Sequence, residues 1–202
     1  MGALLLVLWT AALVVAAFLV GSVNPATLVA RALGRDLRTA GSGNPGATNA
    51  GRVLGPRWGV LVLVLDVLKA YLPTLLVARA FGVGPALLVG LAVVLGHTFS
   101  PFLRGRGGKG VACALGAILA VEPLVAVGAL VLFAVAVAVL RVVGEASVVA
   151  TVGLLLVGVL GVVGLLPFVS AWVGGWLVLV AAVVLSRHHR NVRAWWWRRR
   201  RR

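Results

Sequence analysis

Carboxylates are scarce in this 202-residue chain: four Asp and Glu stand against 19 Lys and Arg. Charge of either sign is scarce too, at 11% of residues where about 25% is usual. That leaves too little polar surface to cover a globule in water, so a soluble domain is excluded. The lone cysteine, Cys113, excludes an intramolecular disulfide and any multi-cysteine metal site. What the chain has instead is apolar residues, 62% of the total at a mean hydropathy of +1.13, which also excludes disorder. The net charge of +15 suits nucleic acid, anionic headgroups or a phosphorylated substrate, and the placement of the cations must decide among them. The N-terminal apolar run from Ala3 to Val20 has no Lys or Arg ahead of it, so it is expected to be a membrane helix and not a cleaved secretory signal.

Apolar runs broken by charge, Gly or Pro predict an all-α, polytopic membrane bundle of about seven spans, near residues 3–22, 57–79, 84–99, 108–121, 123–140, 147–166 and 170–186. The fourth is short, and only Glu122-Pro123 separates it from the fifth. Proline lacks an amide donor and Glu is costly in hydrocarbon, so a turn is expected there; one kinked helix would leave six spans. Seven spans with the N-terminus outside put seventeen of the nineteen cations on or beside the inner face, leaving only Arg79 outside and Lys69 within a span. Six spans would send Arg141 and the Arg-rich end to the opposite face, so the positive-inside rule favours seven and a cytoplasmic C-terminus. Gly153, Gly158, Gly161 and Gly164 are expected to let helices approach closely.

Chemistry is expected in the polar segments of that face. Gly41-Ser42-Gly43-Asn44-Pro45-Gly46-Ala47-Thr48-Asn49 is either a nest of backbone amides for phosphate or an ordinary flexible loop; it is neither a P-loop nor a dinucleotide fingerprint. Arg104-Gly105-Arg106-Gly107-Gly108-Lys109-Gly110 precedes an apolar helix, and either binds a second phosphate or merely orients the protein. His188 and Asn191 lie three residues apart and share a face if the last span stays helical. Asp66 and Lys69, also three apart, form an internal ion pair or mark an intramembrane functional site. His97 reads as a packing or hydrogen-bonding residue, and a metal site has no sequence support. Trp195-Trp196-Trp197 with Arg198 to Arg202 reads as an interfacial anchor on anionic lipid, with RNA the weaker competitor.

These segments, in this order, resemble the acyl-phosphate:glycerol-3-phosphate acyltransferases, the bacterial PlsY family, over nearly the whole chain. The resemblance rests on Gly41 to Asn49 with Arg52, on Leu65-Asp66-Val67-Leu68-Lys69, on Leu95-Gly96-His97 with Gly107 to Gly110, and on Arg187-His188 with Asn191. It implies acyl transfer from acyl phosphate to the 1-hydroxyl of glycerol 3-phosphate, giving lysophosphatidate and phosphate, with no cofactor and no metal. It implies catalytic roles for Ser42, Lys109, His188 and Asn191, and phosphate contacts at Gly41, Gly43, Asn44, Gly46, Thr48, Asn49, Arg52, Gly108 and Ser147.

The implied partners are the two substrates, membrane lipids and an enzyme that makes acyl phosphate, without nucleic acid, at a bacterial plasma membrane. One membrane domain over 1–194 and a tail over 195–202 are expected. The chain departs from the family at Gly21-Ser22-Val23-Asn24-Pro25-Ala26, where the proline is shifted by one position. It departs again around Ser147, where the family carries more serines, and after Asn191, where Trp and Arg replace a late Gly and Glu. The rival readings are a transporter or channel for a small phosphorylated anion, motivated by Asp66 and Lys69, and a polybasic membrane scaffold.

Overall fold

The computed structural model describes residues 2–200, and the regular structure within them is helical. It divides into two compact units, the first ending at Val121 and the second beginning at Glu122.

The first unit holds α1 (Gly2–Ser22), α2 (Pro25–Ala32), α3 (Ala47–Leu54), α4 (Pro56–Phe81), α5 (Val83–Thr98), a 3-10 turn (Pro101–Leu103) and α6 (Val111–Val121). Proline opens α2 and α4, where its missing amide leaves no helical bond unmade. α5 is packed against α1, α4 and α6. Small residues permit these contacts: a Cβ on Gly21 would strike the Val93 backbone, one on Gly96 the Phe18 carbonyl, and one on Gly116 the Val67 carbonyl. The short helices α2 and α3 pack on α4 over an apolar cluster of Ala26, Ala30, Leu37, Ala50 and Val62. Burial of Leu37 pins the middle of the polar segment between α2 and α3, so that segment is a structured loop.

The second unit holds α7 (Pro123–Leu140), α8 (Val143–Val162), α9 (Ala171–Ser186) and α10 (His189–Arg200), with α8 packed against the other three. Gly158 and Gly174 let α8 and α9 meet closely, Gly161 faces Val169 and Gly174, and Gly153 faces Leu132. Gly164 departs from expectation. Its φ of +75° and empty surroundings make it a left-handed turn residue after α8, not a packing contact.

Apolar helices occupy all seven predicted positions, and Glu122 does separate α6 from α7. Five helical stretches are long and apolar enough to cross a bilayer: Val7–Ala32, Pro56–Phe81, Val83–Leu103, Pro123–Leu140 and Val143–Val162. α9 joins a sixth, bent by 68° from the helix after it. At 11 residues α6 is only about 16 Å long, roughly half the hydrocarbon thickness. The outward faces are apolar, with Leu76 67%, Val139 74% and Trp172 85% exposed, as a lipid-facing exterior requires. This is an integral membrane helical protein.

Candidate active site

The first Gly-rich loop is held from both ends by asparagine side chains. Asn24 caps α2, its Oδ1 accepting from the Thr27 amide at 2.8 Å and from the Thr27 hydroxyl at 2.9 Å, while its Nδ2 donates to the Pro45 carbonyl at 3.0 Å. Asn49, on α3 and 2% exposed, accepts from the Ser42 amide at 2.8 Å. It also donates to the carbonyls of Leu37 at 3.1 Å and Ala40 at 3.0 Å. Gly41 has φ +61° and a Cβ there would strike the Asn49 carbonyl oxygen, so the close clasp demands glycine.

This geometry revises two sequence expectations. Asn49 is a clasp inside the loop, because its amide is engaged by three backbone groups. The amides of Gly43 and Gly46 turn inward as well, donating to the Ala40 carbonyl at 3.1 Å and the Asn44 carbonyl at 3.0 Å. In a tight turn an N–H meets a carbonyl a few residues back before it can meet a ligand. Gly43, Asn44 and Gly46 are each half-buried along the turn, while Gly41, Ser42, Thr48 and Arg52 are exposed. Thr48 and Arg52, four residues apart on α3, share its face.

The second loop folds back onto the end of α5. The Gly107 amide donates to the Thr98 carbonyl at 3.2 Å and the Gly108 amide to the His97 carbonyl at 3.1 Å. A Cβ on Gly107 would strike the His97 carbonyl, and one on Gly108 the His97 ring at Nε2, so both positions require glycine for approach. Between Gly108 and Gly110, Lys109 is half-buried. Its burial first, and the nearby Arg52 charge second, hold its pKa below the ordinary lysine value. The two loops therefore bring Arg52 and Lys109 into each other's field.

Beneath the second loop lies a buried polar cluster. Lys69 Nζ is 2.9 Å from Asp66 Oδ1 and 2.9 Å from His97 Nδ1, and donates to the Val23 carbonyl at 2.8 Å. His97 Nδ1 is 3.3 Å from Asp66 Oδ1. The expected ion pair is thus present, although Asp66 Oδ1 has no partner at hydrogen-bond geometry. His97 hydrogen-bonds as expected. Sequence reasoning missed that α4, α5 and α6 bring Asp66, His97 and Cys113 together, with ligand atoms within 4.8 Å of one another. The Lys69 ammonium already lies against two of these three groups, where a metal ion would have to sit.

In the second unit, α8 starts with buried Glu145 and Ser147. The Ser147 hydroxyl donates to the Val143 carbonyl at 2.9 Å, within its own helix. His188, 1% exposed, lies between α9 and α10, and its Nδ1–H donates to the Val184 carbonyl at 2.8 Å. That bond puts the proton of a neutral ring on Nδ1 and leaves Nε2 as the acceptor. Asn191, on α10, sets its side-chain amide against Gly144, where a Cβ would collide. α8 and α10 thus bring the Ser147 end of α8 and Asn191 together, and the helix breaks beside His188 where the sequence suggested continuity. Glu145 was missed, although its standing as one of four acids in the chain was a signal.

The chain matches the family described as glycerol-3-phosphate acyltransferase over residues 11–197. A glycerol-3-phosphate acyltransferase of Geotalea daltonii is 41% identical over 179 residues, covering 87% of this chain and 88% of that protein. One from Aquifex aeolicus is 49% identical over 116 residues, covering 56% of this chain and 60% of that protein. Among solved structures, PlsY, an integral membrane glycerol 3-phosphate acyltransferase crystallised in its glycerol 3-phosphate form, gives a TM-score of 0.83 at 38% identity, covering 91% of this chain and 90% of that one. With a helical membrane fold and a match running almost end to end, the chain belongs to the glycerol-3-phosphate acyltransferase family.

Proposed function

We propose that this acyltransferase moves a fatty acyl group from acyl phosphate to the 1-hydroxyl of glycerol 3-phosphate, forming lysophosphatidate and inorganic phosphate. The observation that carries the reading is the match to the glycerol-3-phosphate acyltransferase family over residues 11–197, and the Arg52 charge felt at the half-buried Lys109 supports it. An acyl phosphate is a mixed anhydride and already activated, so the protein need only position the reactants and stabilise developing negative charge. The hydroxyl oxygen bonds to the acyl carbon, the carbon–oxygen bond to phosphate breaks, and the hydroxyl proton ends on the departing phosphate.

In this reading Arg52 and Lys109 take phosphate charge, and Ser42 and Thr48 add hydroxyl donors. Gly41, Gly43, Asn44, Gly46 and Gly108 shape the backbone around the anion. His188 and Asn191 serve glycerol 3-phosphate and Ser147 a phosphate oxygen, while Asn49 acts from inside the loop. The reaction calls for no cofactor or metal, and its donor must come from an acyl-phosphate-producing enzyme. One-sided cations support a multi-pass protein of the bacterial plasma membrane with its N-terminus outside and its active face toward the cytoplasm. They also support one catalytic domain over 1–194, followed by a Trp/Arg tail at the lipid surface.

The test is phosphate release by the purified protein with glycerol 3-phosphate, supplied side by side with palmitoyl phosphate and with palmitoyl-CoA. Turnover with palmitoyl phosphate alone, reduced by about two to three orders of magnitude in Lys109→Ala, is the expected result. Preference for palmitoyl-CoA overturns the donor. Uptake of labelled glycerol 3-phosphate into proteoliposomes without conversion overturns the reaction.

A further inference from the structure

The buried cluster of Asp66, Lys69 and His97 lies under the second loop and beside the strand of chain that leads into the first. An ammonium has three N–H donors and no acceptor. Here its three partners come from three places: Asp66 on α4, Val23 in the connection between α1 and α2, and His97 at the end of α5. Val23 precedes Asn24, whose side chain holds the Pro45 carbonyl of the first loop. The His97 carbonyl receives the Gly108 amide, and its ring abuts Gly108. A path of directed contacts therefore runs from Pro45 through Asn24 and Val23 to Lys69, and on through His97 to Gly108. A second bond reinforces it, from the Ser100 hydroxyl to the Ser22 carbonyl at 2.7 Å.

We propose that Lys69, neutralised by Asp66 and bonded to His97 and Val23, is a positioning residue that ties both Gly-rich loops to one buried point and thereby sets where Lys109 stands relative to the first loop. The inference rests on the acyltransferase reading only for its effect on turnover. A buried ion pair is a poor way to gain stability, since well-packed apolar residues of similar volume commonly do as well or better. What apolar residues cannot do is hold three chain segments to one atom through an ion pair and hydrogen bonds.

The experiment uses the double variant Asp66→Leu/Lys69→Leu of the full chain in lipid nanodiscs. Removing the carboxylate together with the ammonium strands neither in the core, so the fold is expected to survive with a thermal midpoint near that of the unsubstituted protein. Amide exchange at Gly107 and Gly108 is expected to rise at least about tenfold, with the helices of the second unit unchanged. kcat/KM with palmitoyl phosphate and glycerol 3-phosphate is expected to fall about 100-fold, as misplacement of a catalytic group by an ångström does.

A folded double variant with unchanged exchange and kcat/KM within about threefold of the starting value overturns the proposal and makes the pair a mere structural contact. If the double variant does not fold, Lys69→Arg decides by the same two measurements, because a planar guanidinium keeps a positive charge beside Asp66 but cannot gather three partners at one nitrogen. Should the unsubstituted protein make no lysophosphatidate, the reaction reading fails, while the exchange comparison still decides the fate of the network.

Discussion

The two units build their polar sites by opposite means. In the first, backbone geometry does the work: Gly41 lies against the Asn49 side-chain amide, Gly107 against the His97 carbonyl and Gly108 against the His97 ring, and Asn24 and Asn49 spend their amides on holding loops. In the second, polar side chains gather where helices end: Ser147 bonds the Val143 carbonyl one turn back in α8, and His188, just past α9, bonds the Val184 carbonyl. A loop held by long-range hydrogen bonds is as rigid as the core beneath it, whereas a helix end is only as fixed as its last turn. The first design tolerates no added atom. The second tolerates substitution but depends on where the helices stop.

The sharpest way to break this comparison is Gly108→Ala. Its Cβ would collide with the His97 ring, which is itself held by Lys69 and Asp66, so the loop must move and carry Lys109 with it. A fall in kcat/KM of at least about 100-fold is expected, with glycerol 3-phosphate binding lost in parallel by calorimetry. Gly144→Ala in the second unit meets the Asn191 side-chain amide, not backbone or a ring, and is expected to cost about tenfold or less. Equal losses would erase the distinction between the units.

A smaller effect separates the two asparagines. Asn49→Ala removes three hydrogen bonds, two of them donated to carbonyls of the loop, and should lower stability by about 2–3 kcal/mol. Activity should fall with it. Asn191→Ala should lower activity with a stability change below about 1 kcal/mol, since α10 starts only two residues earlier. Thermal unfolding in lipid and turnover, measured on the same preparations, check both. Asn191→Ala unfolding earlier than Asn49→Ala would show that the helix end, not the loop, carries the structure.

Much of this was legible in the residues, and what was not has physical reasons. The apolar helices were readable because a bilayer demands long uninterrupted runs, and the break at Glu122-Pro123 because neither residue suits the middle of a span. The site segments were readable because polar loops of Gly, Ser and Asn are conspicuous in so apolar a chain. Their internal wiring was not. Asn49 looks like a ligand in sequence, and only its burial over Leu37 and Ala40 makes it a clasp. Gly164 sits in a run of spaced glycines, yet its positive φ belongs to the turn that ends α8. The meeting of Asp66, His97 and Cys113 depends on three helices packing, and no spacing along one helix encodes that. The helix break beside His188 was hidden because Ser186 to Asn191 contains neither Gly nor Pro to announce it.

The finest of these effects is electrostatic and confined to the first unit. Lys109 is held below the ordinary lysine pKa by burial and by the Arg52 charge. Its ammonium is present below that pKa and lost as the pH rises through it, so anion binding that depends on it ends at a lower pH than for a free lysine. Arg52→Gln removes the second cause and leaves the first. The basic limb of kcat/KM, which reports groups on the free enzyme, should therefore move upward in pH, although the maximum of the profile is lower because one phosphate ligand has gone. Asn191→Ala, in the second unit, should lower the maximum and leave that limb in place. A basic limb unmoved by Arg52→Gln would mean that the two cations are not coupled, and the pairing that distinguishes the first unit would lose its catalytic meaning.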